Sequence, residues 1–399
     1  MRTLLRTIPL AATAALATAQ IEVHGAPPIA ELIRHTQEAL AEHTPQTGAE
    51  LARIVVAHLR LGDVPAARQK LLDYAACDEP ALILCAHATF ARTTGNTAMS
   101  KARRTQLERA LTKAEQPPAL TFSDAMLLVH GRYCFAQLCD SGQRAHHERR
   151  ATTRLLALEA ETWQPGRGYY RPTPCNGRLL VPEAADASLL VPHSFGMLIA
   201  TGDRLTRHLD GTLRAREDRA GCWQQVLPQQ QPALLLLAAA QLGDHERLAR
   251  AFPAVVSLRA TEPELAALNL SAVLHAVTGA RLAAGAGLSD RWLHLKPWLP
   301  GNCNKLEVRG MLAQCHRLQL TLQRANANAT TTVKLKTNEP EQLPVVVANR
   351  WQQFVTTITR ELPFACELPK AAPTREEKLP LPARPEPDHD ALQRRFRAR

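Results

Sequence analysis

Helical segments that are apolar on nearly every side alternate along this chain with helical segments that are amphipathic and charged. The apolar segments share a dominance of alanine, leucine and valine and span residues 80–94, 123–139, 186–200 and 232–242. A helix that is apolar all round is buried, whereas a helix with one polar face lies at a surface. The alternation therefore predicts a double ring, with apolar helices in the inner layer and charged helices in the outer layer.

The region from residue 27 to residue 284 is predicted to hold about twelve helices, enough for six hairpins. Short turns that combine glycine with aspartate or asparagine separate several of them, at 94–96, 201–203 and 242–244. Such a turn suits the end of one helix and the N-cap of the next. A helical solenoid would show a fixed repeat length, and the spacing here is irregular.

The most distinctive order of segments runs from residue 155 to residue 219. An amphipathic helix over 149–161 ends at the turn Trp163-Gln-Pro-Gly-Arg-Gly-Tyr-Tyr170, where proline and two glycines stop it. A loop follows, with four prolines from Pro165 of the turn to Pro182, and Asp186-Ala-Ser-Leu-Leu then opens a new helix with Asp186 at its N-cap position. The order is helix, aromatic turn, loop, helix.

This order of segments resembles the six-hairpin glycosidases, which are (α/α)6 toroids, and among them the glucoamylase-like glycoside hydrolases. The residues that carry the resemblance are Trp163, Gly168-Tyr169-Tyr170 and the 186–190 helix start, with Thr121-Phe122-Ser123 as a further helix start upstream. The similarity covers residues 80 to 325. It implies a mainly α fold, an (α/α)6 toroid of helical hairpins followed by a small β-domain.

The composition changes near residue 285. Segments with period-two alternation at 305–310 and 316–322 predict strands. We assign residues 290–368 to a small β-rich domain, which resembles the domain that follows the toroid in related phosphorylases and hydrolases. Residues 369–399 form a proline-rich charged tail that we expect to be disordered.

The charge balance and the N-terminus bear on partners and on localisation. The net charge is +11, but no concentrated basic block with interleaved aromatics predicts nucleic-acid binding, and no apolar run is long enough to span a membrane.

Residues 1–19 have a basic start, a short apolar run and Ala17-Thr-Ala19, which fit an export signal. Two interpretations stand: export to the periplasm or the exterior, or a cytoplasmic protein with an N-terminal helix.

Nine cysteines are present and no C-x-x-C motif occurs, so neither a zinc ribbon nor a thioredoxin-type site is predicted. Cys77, Cys85, Cys134 and Cys139 fall in helical patterns, where free cysteine packs as a small core residue. His146 and His147 are neighbours on a helix and face different ways, unlike the i, i+4 pairs that bind metals. We expect no metal and no cofactor.

Toroidal glycosidases cleave with two carboxylates, one acting as general acid and one as base. The resemblance implies Glu115, just before the 121–123 helix start, as the acid, although Lys113-Ala114 stand where the family has a tryptophan. It implies Glu262, before the last inner helix, as the base. The alternatives are a surface glutamate at 115, and at 262 an acidic helix N-terminus next to Pro263.

Candidate sugar-binding residues lie outside the regular helix patterns. They are aromatics on which sugar rings stack, with two carboxylates that flank the longest loop: Trp163, Tyr170, Trp223, Glu183 and Asp186. The aromatics could instead pack under loops, and Asp186 could serve only as a helix cap.

Two functional hypotheses follow. The first is a six-hairpin glycosidase-like protein that acts on or binds a carbohydrate, hydrolysing a glycosidic bond if it is active; the chain has no room for a large N-terminal β-sandwich, so a reduced, inactive relative is included. The second is a non-catalytic helical scaffold for protein or polymer partners, like a TPR-type array. A closed ring of helices supports the first hypothesis and an open superhelix supports the second.

Overall fold

The computed structural model describes residues 20–116, 122–164, 169–170, 207, 210–211, 213, 228–282, 292–326, 329–349 and 351–369. The export-signal segment and nearly all of the charged tail lie outside these residues, as do the predicted helix over 186–200 and most of residues 201–219. No helix in the described part combines the length and the apolar character that crossing a membrane requires.

Ten helices run through the described part of the helical region, and they are bounded as follows: α1 (Pro27–Leu40), α2 (Gly48–Arg60), α3 (Val64–Asp73), α4 (Pro80–Thr94), α5 (Lys101–Ala114), α6 (Phe122–Gln137), α7 (Ser141–Thr162), α8 (Gln231–Leu242), α9 (His245–Val256) and α10 (Pro263–Thr278). A short 3-10 turn, Pro228–Gln230, precedes α8. These bounds agree with the periodicity of the sequence to within a few residues.

The even-numbered helices form the inner layer. Helix α8 packs on α10, α10 on α2, α2 on α4, and α4 on α6. Thirteen of the sixteen residues of α10 are buried, whereas outer helix α5 buries only Leu107 and Leu111. The predicted division into an apolar inner layer and a charged outer layer is therefore confirmed for three of the four predicted apolar segments, and the fourth, 186–200, lies outside the described residues.

The ring closes where the last helix meets the first ones. Helix α10 contacts both α1 and α2, so residues more than 200 positions apart in sequence share one core. An open superhelix would keep its two ends apart, and this closure argues against the scaffold hypothesis in its TPR-like form.

Side-chain caps are found at most outer helices, although inner helix α2 is also capped, by Thr47, and outer helix α1 is not. The outer helices α3, α5, α7 and α9 begin at Asp63, Ser100, Asp140 and Asp244, and each of these side chains accepts a hydrogen bond from a first-turn N–H group. Inner helices α4, α8 and α10 instead have proline in the first turn, and no side-chain cap is formed within the described residues. A capped start satisfies N–H groups that otherwise need another partner.

Two sheets follow the helices. The strands are β4 (Arg281–Leu282), β5 (Leu293–Leu295), β6 (Lys305–Ala313), β7 (His316–Gln323), β8 (Thr331–Thr337), β9 (Leu343–Ala348), β10 (Gln353–Ile358) and β11 (Phe364–Leu368). An antiparallel sheet has the order β6-β7-β8-β11, and a second sheet has the order β10-β9-β5-β4. Alternate residues of β7 are buried, as the period-two pattern predicted. The mainly α fold class, a helical ring followed by a small β-domain, is confirmed.

One strand of the β-domain comes from the opposite end of the chain. Strand β1 (Glu22–His24) precedes all the helices and pairs antiparallel with β6, with Val23 opposite Val308. The sequence-based division assigned only residues 290–368 to the β-domain. A three-residue strand is too short to show a recognisable period-two pattern. Its pairing partner also lies almost 300 residues away, so no local signal indicates the pairing.

Candidate functional site at the mouth of the helical ring

The β-domain covers the C-terminal ends of the inner helices. Backbone hydrogen bonds join Cys315 N to Thr93 O of α4 at 2.8 Å and Trp298 N to Val277 O of α10 at 3.1 Å. Ile21, just before β1, donates to Leu61 O at the end of α2 at 2.9 Å. The N-terminal ends of these helices lie about 20–24 Å away, at the other end of the ring. We call this end, formed by residues 43–53, 78–83 and 259–264, the mouth.

An ion pair crosses the mouth where the ring closes. Arg53 Nη1 of α2 donates to Glu264 Oε1 of α10 at 2.6 Å; the arginine side chain is 5% exposed and the glutamate 35% exposed. Burial lowers the pKa of Arg53, while the carboxylates of Glu264 and Glu79 act in the opposite direction. The mouth therefore contains a nearly buried guanidinium and two carboxylates, one at the start of α10 and one just before α4.

Two further mouth carboxylates are held by the start of α2. Glu79 Oε2 accepts a hydrogen bond from Ala49 N at 2.8 Å, so its charge faces the positive end of the helix dipole. Glu50 Oε1 lies 2.5 Å from His43 Nε2, and its Oε2 accepts from Gln46 N at 2.6 Å. These contacts fix both carboxylates in place.

Glu262, the predicted general base, lies at this mouth. It occupies the N-cap position of α10, is exposed, and forms no capping hydrogen bond with the described first turn. It is two residues before Glu264, the partner of Arg53. Its catalytic role stays a prediction, and its exposure is compatible with that role.

Glu115, the predicted general acid, is enclosed by arginines. Its side chain is 4% exposed. Arg132 Nε donates to Oε1 at 3.0 Å and Arg132 Nη2 donates to Oε2 at 2.8 Å, while Arg150 Nη2 donates to the same Oε2 at 2.7 Å. The contacts join the end of α5 to α6 and α7. The acid role of Glu115 stays a prediction, and this geometry weighs against it because neither oxygen is left to meet a substrate.

Trp163 lies beside the start of α6. It follows α7 directly, is half-buried, and packs against a cluster that contains Ala125 and Met126 of α6. Strand β2 (Trp163–Gln164) pairs with β3 (Tyr169–Tyr170), with Trp163 opposite Tyr170. The two ends of the predicted aromatic turn therefore pair as short antiparallel strands, and residues 165–168 between them lie outside the described residues. The side chain of Tyr170 lies outside the described part, and so do Glu183, Asp186 and Trp223.

The comparisons with known proteins place this ring among solved structures. No protein-family model matches the sequence, and no curated protein matches it. A protein assigned as a kojibiose phosphorylase from the human microbiome superimposes with a TM-score of 0.59 at 9% identity, over 89% of this chain and 67% of that one. A GH78 family rhamnosidase of Bacillus sp. GL1 superimposes with a TM-score of 0.51 at 11% identity, over 84% of this chain and 43% of that one.

The fold is that of the six-hairpin glycosidases. At 9–11% identity the likeness concerns the fold alone. The chain spans less than half the length of the rhamnosidase. In this glycosidase-like ring, the mouth at the inner-helix N-termini is the candidate functional site.

Arg53 was not among the site residues predicted from the sequence. The signal that could have shown it is a single arginine within the apolar run 51–59 of α2, because a charge on an otherwise buried helix needs a partner. The partner, Glu264, is 211 residues away, and only the folded ring brings the two together.

Proposed function

We propose that this chain is a carbohydrate-active protein that binds its sugar at the mouth of the ring. The observation that carries the proposal is the Arg53–Glu264 pair at the end of the ring opposite the β-domain, on the helix that Glu262 precedes. Fixed carboxylate and guanidinium groups give sugar hydroxyls both acceptors and donors, and ionised partners make the stronger hydrogen bonds. The fold shared with proteins described as a phosphorylase and a rhamnosidase supports the same class of ligand.

For the reaction we propose hydrolysis of a glycosidic bond with Glu262 as general base. The Glu262 carboxylate would take a proton from a water molecule as the water oxygen bonds to the anomeric carbon. The bond between the anomeric carbon and the glycosidic oxygen would break as a general acid protonates the glycosidic oxygen. An inverting pair needs room for the water between the two carboxyl groups, about 6.5–9.5 Å. Trp163, which packs beside the start of α6, would stack its indole ring against a sugar ring.

The test is a screen of the purified full chain against aryl glycosides and oligosaccharides, each with and without inorganic phosphate. We expect release of free sugar without phosphate, and a loss of at least about 100-fold in kcat/KM for Glu262→Gln, the scale of one general base. Glu246→Gln is the matched control because Glu246 is 86% exposed on outer helix α9, and it should retain activity within about twofold.

Two outcomes would contradict the proposal. If the folded chain neither cleaves nor binds any sugar in the screen, the carbohydrate assignment fails. If cleavage requires phosphate, or if Glu262→Gln and Glu246→Gln behave alike, the hydrolytic role of Glu262 fails while sugar binding at the mouth stands.

A further inference from the structure

Three buried side chains with metal-ligating atoms meet where α4 packs against α6. Cys85 comes from α4, and His130 and Cys134 come from α6. One ligating atom from each lies within 4.8 Å of the other two, and each residue is at most 1% exposed. The Sγ atoms of Cys85 and Cys134 are 3.5 Å apart, close to the separation of about 3.7 Å that two thiolates have around a tetrahedral zinc ion with Zn–S bonds of about 2.3 Å.

The spacing along α6 places two of these ligands on one face. His130 and Cys134 are four residues apart, so their side chains project in the same direction, one turn above the other. The same i, i+4 spacing lets one helix supply two ligands to a single ion. The third ligand has to come from a neighbouring helix, and α4 supplies it.

A glycine brings the two helices close enough for this. A Cβ atom on Gly131 would lie 2.7 Å from both Cα and Cβ of Ala81, so only glycine allows this approach. Ala81 lies one turn before Cys85 on α4, and Gly131 lies just before Cys134 on α6. The contact between the two backbones therefore sets Cys85 opposite Cys134.

Among the described residues, the imidazole of His130 has polar contact only within this cluster. The residue is 1% exposed, and neither ring nitrogen has a hydrogen bond of good geometry in the described part of the chain, while the Cys134 thiol interacts with the ring. Buried polar atoms are nearly always paired, because the loss of water is otherwise uncompensated. A metal ion between the two thiols would accept the lone pair of one nitrogen.

We propose that Cys85, His130 and Cys134 bind a zinc ion that joins α4 to α6 in the inner ring. Two thiolates balance the double positive charge and the imidazole binds as the neutral base, so the complex carries no net charge into a buried site. Two cysteines and one histidine are an established protein ligand set for zinc, in which a water takes the fourth tetrahedral position. The proposal does not depend on the proposed function.

The test uses the full chain, purified under reducing conditions and stripped of metal with a chelator. We expect Co²⁺, used as a probe for zinc, to bind at one equivalent per chain and to give a thiolate-to-cobalt charge-transfer band that zinc then abolishes. Cys134→Ser should lose this band. Cys139→Ser is the matched control, because Cys139 is a half-buried free cysteine just after α6 and outside the cluster, and it should keep the band.

A second measurement keeps the test decisive if Cys134→Ser fails to fold. Chelation should lower the Tm of the unaltered chain, and added zinc should restore it. The proposal is overturned if the folded, reduced chain binds no Co²⁺, if chelation leaves its Tm unchanged, or if folded Cys134→Ser keeps the band. Binding of Cu⁺ alone, which thiolates also favour, would overturn the assignment to zinc.

Discussion

Glu115 illustrates how a single buried charge is held in the outer part of this ring. Its carboxylate receives three hydrogen bonds from Arg132 and Arg150, and Arg132 is itself 1% exposed. Arg132 Nη2 also donates to Thr112 Oγ1 at 3.1 Å. Removing one partner of such a pair leaves the other charge buried without compensation.

Glu115→Gln is expected to destabilise the protein by about 3–5 kcal/mol, the usual cost of breaking a buried ion pair. Urea unfolding of the two proteins would measure the change. Glu246→Gln is the control, since Glu246 is 86% exposed and its partner Arg250 is 60% exposed, and an exposed pair contributes about 0–1 kcal/mol. Unchanged stability together with a selective loss of activity would instead support the general-acid role.

His87 gives the stability of the inner ring a pH dependence. It is 1% exposed, and burial, with a smaller effect from the charge of Arg103, lowers its pKa to about 4. In the unfolded chain its pKa is about 6.5. Between these values the unfolded state takes up a proton that the folded state does not, so the free energy of unfolding falls as the pH is lowered from 6.5 to 4.

The loss from this residue should reach about 3 kcal/mol at pH 4. His87→Leu keeps a similar volume and removes the titrating group, so its free energy of unfolding should fall less steeply over the same range. Chemical denaturation of both proteins at several pH values measures the difference. Parallel curves for the two proteins would show that His87 is not buried as the neutral base.

At the scale of elements, the helices follow from the sequence because their signals are local. The apolar run of α4 ends at Gly95, whose φ of 72° suits a helix C-cap, and Asp63, Asp140 and Asp244 cap the outer helices they precede. The features that the sequence does not reveal depend on contacts between distant segments. Strand β1 forms by pairing with β6, and the buried charge of Arg53 is paired with Glu264, 211 residues away.

The same distinction holds for the candidate site. Glu262 could be placed at the start of an inner helix because Pro263 marks that start, and Trp163 because proline and glycine end the helix before it. The enclosure of Glu115 could not be seen, because Arg132 looks like one arginine among many until α6 and α7 pack together.

The contact between α4 and α6 depends on Gly131. Gly131→Ala is expected to destabilise the protein by about 1–3 kcal/mol, the range for overpacking a tight contact, because the new Cβ would lie 2.7 Å from Ala81. Gly301→Ala is the control, since nothing lies within 4 Å of its added Cβ. Thermal unfolding compares the two, and equal Tm values would show that the helices have room to separate.

At the scale of the whole molecule, both chain ends contribute to closing the ring. Helix α10 packs on α1 and α2, and strand β1, just before α1, is bound to the C-terminal sheet. The β-domain therefore covers the end of the ring opposite the mouth. The proposed sugar site depends on this closure, because Arg53 comes from the first inner helix and Glu264 from the last.

A double-mutant cycle on Arg53 and Glu264 tests the closed ring most directly. The free energy of unfolding would be measured for Arg53→Gln, Glu264→Gln and the double variant. A closed ring predicts a coupling energy of about 1 kcal/mol or more, as found for residues in contact. Additivity within about 0.3–0.5 kcal/mol, as for distant sites, would contradict the closure and the mouth built on it.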